Sequence, residues 1–189
     1  MIPTVITETD KGREAYDIYS RLLKDRIIFC TEEITTHLAS SITAQMLFLE
    51  SEDREAPITM YITSPGGDCY AGIAIINIMN HVSCPVSTIV NGFAASMATV
   101  IASSGTKGKR YVMPDSRIMM HMASSNLGGN IQDVKVAFEE FNAVNNVLID
   151  RLALNTGKSR AVLIKDMQRD DWLYPGDAIQ YGLVDEILK

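Results

Sequence analysis

Apolar positions along this chain follow two alternating periods. From Arg26 to Cys30 they form a short β-rich run, and between Thr35 and Phe48 they fall at Leu38, Ile42, Met46 and Leu47, the spacing of one helix face. The pair then repeats: Ile58 to Thr63 reads as a strand, Ser64-Pro65-Gly66-Gly67 breaks it, and Ala71 to Asn80 takes helical spacing. Val86 to Val90 is rich in β-branched residues, Asn91-Gly92 turns the chain, and Met97 to Ala102 continues as a helix. Strand, glycine-bearing turn and helix in repeated order predict parallel crossovers and hence an α/β core.

The second half is less regular. Arg110 to Met113 and Arg117 to His121 read as short strands around Pro114-Asp115. The longest helical signal runs from Ile131 to Thr156, with Val134, Phe138, Phe141, Val144, Leu148 and Leu152 at helical intervals, and Gly157 stops it. An element of that length beside a compact core is expected to project and supply an interface. A short helix from Ser159 to Asp166, a loop at Gln168 to Trp172, another short helix after Pro175 and a last strand at Gly182 to Ile187 complete the pattern. Up to about Arg21 the chain is polar with few core candidates and reads as an arm, with order expected from Leu22. No repeat or linker divides the 189 residues, so a single domain is expected.

Composition removes several classes. A net charge of -6 without a run of Lys and Arg argues against nucleic acid as a partner. No stretch approaches the roughly 18 apolar residues of a membrane span, and the N-terminus lacks a basic segment followed by an apolar one. A soluble, cytoplasmic protein is expected. Cys30, Cys69 and Cys84 are odd in number and widely spaced, which suggests neither a disulfide framework nor a zinc knuckle. His37, His81 and His121 have no metal-ligand spacing, so no metal centre is expected.

Candidate chemistry gathers at two turns. In NGFAASMATVIASSG, Asn91 to Gly105, Ser96 stands where a helix begins, and amide groups there lack intrahelical acceptors. The small residues Gly92, Ala94 and Ala95 are equally explained by close packing, and the segment is not a G-x-S-x-G elbow. The second turn holds Gly67, whose amide can approach a ligand because no side chain intervenes. Both turns follow strands, and ligand sites in open α/β sheets gather beyond the carboxyl ends of strands. A reactive serine needs a base. His121 is the histidine that ends a core strand, whereas His37 and His81 fall on helices as surface residues, and an imidazole suits a general base near neutral pH. For a third group, Asp166, Asp170 and Asp171 all qualify, and spacing does not choose among them.

These residues resemble the ClpP family, the proteolytic subunits of the Clp serine peptidases. The similarity runs through IPTVI, AYDIYSRLLKDRIIF, YITSPGGD, GFAASMA, KGKRYVMPDSRIMMH, NTG, RDDWL and YGLVDEIL in the family's order. The resemblance implies Ser96 as nucleophile, His121 as general base and Asp170 as the orienting acid, with the amides of Gly67 and Met97 as the oxyanion hole. It also implies a spiral of βαβ units, an axial N-terminal arm over about residues 1–21, and a projecting handle of helix and strand over about 122–156, made of the long helix with the segment from Met122 to Asn130 before it. Two heptameric rings would meet through the handles and enclose the sites, and a AAA+ unfoldase such as ClpX, ClpA or ClpC would feed in unfolded polypeptides. No cofactor is implied for this chain. ATP would be used by the partner, consistent with a sequence that has no Walker-type phosphate loop.

Several positions depart from the family pattern. Met122-Ala123-Ser124-Ser125 replaces Gln-Pro followed by glycines beside the substrate strand. Gln168, before Arg169, is neutral where an acid usually makes the ring-to-ring contact. In the unfoldase docking pocket Leu47, Tyr61, Tyr111 and Leu188 keep suitable character, while His81 and Thr59 replace aromatic residues. These departures imply a divergent isoform, feeble alone or a scaffold, that works in a mixed ring with a paralogue. A crotonase-like acyl-CoA enzyme, which shares the spiral and paired oxyanion amides, is the more distant alternative.

Overall fold

The computed structural model of the chain describes residues 2–9 and 12–188. It opens with an antiparallel hairpin, β1 (Thr4–Thr9) and β2 (Gly12–Asp17), followed by α1 (Ile18–Lys24). Regular structure thus begins well before Leu22. The hairpin is a sheet of its own, and strands that satisfy their hydrogen bonds on each other need no buried stripe. Asp17 then starts α1 by accepting the Ser20 amide at 3.0 Å.

The core follows as repeated crossovers: β3 (Ile27–Cys30), α2 (Thr36–Glu52), β4 (Ile58–Ser64), α3 (Cys69–His81), β5 (Val86–Ala95) and α4 (Met97–Ser103). Next come β6 (Arg110–Val112), β7 (Arg117–Met120), α5 (Ile131–Thr156), α6 (Arg160–Asp166), β8 (Asp171–Leu173), α7 (Pro175–Tyr181) and β9 (Glu186–Ile187). The strands β3-β4-β5-β6-β9 lie in parallel, and an arm of β7 and β8 branches from β5. This is the expected α/β architecture. The apolar stripes meet on the sheet, with Ile42 and Met46 of α2, Met60 and Ile62 of β4, Ile75 of α3 and Ile101 of α4 fully buried. Each such side chain contributes about 1.5–3 kcal/mol on leaving water.

Four expectations change. Asn91-Gly92 does not end its strand: β5 runs on to Ala95 with a bend, because Gly92 takes φ 92° and donates to Ser116 Oγ at 2.9 Å while the Thr63 hydroxyl bonds the Asn91 carbonyl. The stretch read as a loop at Gln168 to Trp172 contains β8, which is only three residues long and gains its ladder from β7. The last strand is confined to Glu186–Ile187, since Gly182 at φ 94° caps α7 instead of opening a strand. Between Met122 and Asn130 no strand forms.

Among the described residues one ion pair is buried in this framework. Arg110 is 3% exposed, and its guanidinium meets Asp185 in a fork, Nε to Oδ2 at 2.9 Å and Nη2 to Oδ1 at 2.6 Å. It also donates to the carbonyls of Ser103 and Asn155, tying β6 to α4 and α5. Among the described residues no helix is long and apolar enough to cross a membrane.

Candidate active site

The bend in β5 positions the site. The first half of the strand pairs with β6 through Val90↔Val112, and the second half leaves it for β7 through Ala94↔Ile118 and Ala95↔Met119. Ser96 is the residue between this strand and α4, and its amide still donates to the Met119 carbonyl at 3.0 Å. With no spare residue for the turn, Ser96 takes φ 57° and ψ -124°, a conformation that costs a non-glycine residue about 1–3 kcal/mol. The strain lifts the hydroxyl clear of the helix, where it makes no capping bond.

His121 follows the last residue of β7, and its Nε2 lies 2.8 Å from Ser96 Oγ. Opposite, β8 runs antiparallel with Met120↔Asp171 and Met119↔Trp172, so the next pair along faces His121 with Asp170. The Nδ1 to Asp170 Oδ1 distance is 3.2 Å. Adjacent residues of a strand point to opposite faces, which separates Asp170 from Asp171, while Asp166 belongs to α6. Asp171 lies away from the imidazole, and burial, with the nearby Asp166 carboxylate, holds its carboxyl above the usual range. Asp166 accepts the Tyr181 hydroxyl at 2.8 Å. His37 and His81 are exposed on α2 and α3.

The glycine turn comes up against this group. A Cβ on Gly66, at φ 94°, would lie 2.7 Å from both the Ala95 carbonyl oxygen and the Ser96 Cβ. Gly67 is bracketed by two bonds to Ile34, which donates to the Gly66 carbonyl at 2.9 Å and accepts from the Asp68 amide at 2.8 Å. In such a parallel bridge the amide of the middle residue points the other way. Met97 is the first residue of α4, where the amide has no intrahelical acceptor. Two main-chain donors thus remain without acceptors within the chain among the described residues.

Sequence reasoning missed the supports. Thr99, 1% exposed, donates its one hydroxyl proton between the carbonyls of Ala94, at 3.0 Å, and Met119, at 2.6 Å, stapling α4 to β5 and β7 under Ser96. Asn145 of α5 accepts the Ala123 amide at 3.3 Å, just past His121. Beside Ser96 opens an apolar pocket lined by Met97, Val100, Met120, Leu148, Leu152 and Met167. Cys69 also lines it, and burial together with the Asp68 carboxylate pushes its thiol up, which keeps it protonated beside the serine.

The remaining candidates lie elsewhere. Gln168 and Arg169 are exposed in the turn before Asp170. Tyr61 and Tyr111 share one row across the sheet, Phe29↔Tyr61↔Ile89↔Tyr111, in which Phe29 and Tyr61 stack at 5.8 Å. Leu188 donates its amide to Val112 at the same edge, while Leu47 and His81 are exposed on α2 and at the end of α3.

A hydroxyl, an imidazole and a carboxylate in sequence, with two amides near the hydroxyl, can make an alcohol nucleophilic and hold the oxyanion its attack creates. That is the chemistry of serine hydrolases. Comparison with known families narrows this: residues 10–189 match the model described as Clp protease, and the chain belongs to the Clp protease family. It is 45% identical to the ATP-dependent Clp protease proteolytic subunits of Streptococcus pneumoniae strains CGSP14 and JJA, over 100% of this chain and 97% of theirs.

Proposed function

We propose that this chain is a serine endopeptidase subunit with Ser96 as its nucleophile. The observation that carries the reading is the unbroken relay from Ser96 Oγ through both ring nitrogens of His121 to Asp170, with links of 2.8 Å and 3.2 Å. Asp170 accepts from Nδ1–H and leaves Nε2 free to accept the serine proton. Ser96 Oγ then bonds to the peptide carbonyl carbon, and the amides of Gly67 and Met97 hold the resulting oxyanion. Donors of this kind are worth about 3–4 kcal/mol each. The imidazolium protonates the departing amine as the C–N bond breaks, and water activated by the same imidazole releases the acyl group.

The apolar lining of the small pocket beside Ser96 supports an apolar side chain next to the scissile bond. The name of the pneumococcal relatives supports an ATP-consuming partner, which we assign to an unfoldase feeding polypeptide into a ring chamber. The aromatic row ending at Tyr111 is the docking surface in this reading, Gln168 and Arg169 supply ring contacts, and the described part of α5 with the segment before it is the handle. The mechanism calls on no cofactor within this chain. The test is labelling by a serine-reactive fluorophosphonate together with peptide turnover, in wild type and Ser96→Ala. Both activities are expected in wild type and neither in the variant; labelling that survives Ser96→Ala would sink the assignment.

A further inference from the structure

The forward half of α5, residues 131–143, is exposed or half-buried throughout, and full burial begins only at Val144. Among the described residues, one side-chain hydrogen bond ties that half to α3: the Tyr70 hydroxyl donates to Glu140 Oε1 at 2.7 Å. Tyr70 is itself 57% exposed, so core packing does not account for its place. It stands in the first turn of α3, which is fixed by Asp68 accepting the Ala71 amide at 2.7 Å, three residues after Gly67. The α3 end of the bond is therefore the fixed post and the α5 end the part that is held.

Both partners line a groove with Gly67, Cys69 and Tyr70 on one wall and Ser125, Glu140 and Phe141 on the other. Cys69 also lines the apolar pocket at Ser96, so pocket and groove lie on either side of one residue. A carboxylate acceptor makes the tie charge-assisted, and the bond to Glu140, followed by burial, pushes the phenol up and keeps it a donor at neutral pH.

We propose that Tyr70 and Glu140 are a positioning pair that fixes the separation of the groove walls and so selects extended peptides long enough to run from the Ser96 pocket past Tyr70. The inference rests on Ser96 being a peptidase nucleophile. Neither residue touches the reacting atoms, so the effect falls on binding of the long chain and not on the chemical step.

The test uses the full chain in its native assembly, with a fluorogenic dipeptide and a fluorogenic peptide of about ten residues, roughly 33 Å when extended. Tyr70→Phe and Glu140→Ala are each expected to raise KM for the long peptide about threefold to tenfold, the scale of one lost hydrogen bond. Its kcat, and both constants for the dipeptide, stay unchanged. The double variant is no worse than either single one, and Glu140→Gln, which keeps an acceptor oxygen but loses its charge, raises the long-peptide KM less than Glu140→Ala does. Hydrogen exchange of residues 134–143 is faster in Tyr70→Phe. A long-peptide KM that does not move, equal losses on both substrates, or unchanged exchange overturns the pair while fluorophosphonate labelling stays intact. Absence of labelling in wild type instead removes the peptidase reading, and this inference with it.

Discussion

Gly66 lies so close to Ser96 that any Cβ at position 66 would sit 2.7 Å from the serine's own Cβ. Backbone on one side and the turn at Ser96 on the other leave no flexible side chain to yield. Gly66→Ala is therefore expected to displace Ser96, and displacements near 1 Å cost on the order of a hundredfold in rate. The fluorophosphonate labelling rate checks this. A rate within twofold of wild type would mean that the turn absorbs the methyl group.

Ser96 is held in a conformation that only glycine adopts without penalty. Ser96→Gly is expected to be about 0.5–1 kcal/mol more stable than Ser96→Ala, although both lose all turnover. Urea midpoints of the two variants give the difference. Equal midpoints would show that the strain is released elsewhere.

Asp170 meets His121 at 3.2 Å although its side chain is 62% exposed. Asp170→Asn should lower kcat about 10²–10⁴-fold with little change in KM, because an amide no longer holds the imidazole in its working tautomer. Asp171→Asn, one residue on and facing away, should leave kcat within about threefold. Steady-state kinetics of both variants distinguish the two acids, and equal losses would refute the register argument.

The Arg110–Asp185 pair gives a pH signature. Desolvation alone would raise the Asp185 carboxyl, but hydrogen bonds from the Arg110 side chain, then from its amide, then its charge and the Gly108 amide, outweigh burial and hold it below its ordinary value. A depressed folded pKa means the stabilisation is complete above about 3.9, the unfolded value, and is lost as pH falls through the folded one. Asp185→Asn should be less stable by about 3 kcal/mol near neutral pH, because it strands a buried guanidinium. Its stability should also fall less steeply below about pH 4. Urea midpoints across the acid range measure both, and parallel curves would count against the pair as the source.

Much of this architecture was legible because burial leaves a period in the sequence. Ile42 and Met46 announce α2, and the alternation of Ile58, Met60 and Ile62 announces β4, since each buries one side on the same core. The hairpin Thr4 to Asp17 left no such trace, because its strands bond to each other and not to the core sheet. At the site, residue type and position made Ser96 and His121 candidates only, since close packing also explains the small residues around Ser96, and the resemblance to the ClpP family carried the choice. The choice of Asp170 over Asp166 and Asp171 did not follow from residue types, because it depends on the alignment of β8 against β7, which no local pattern encodes. Resemblance to the ClpP family supplied it, and in the structure the Asp170 carboxylate lies 3.2 Å from the imidazole. Thr99 was invisible for a related reason: its two acceptors, Ala94 and Met119, belong to strands that meet only in the folded chain.

Strand β7 acts as a template, taking the amide of Ser96 on one edge, aligning Asp170 across the other and carrying His121 at its tip. A slip of β8 by a single residue would offer the imidazole an arginine or turn the carboxylate outward. The three groups therefore come into line together as that short arm pairs with β5.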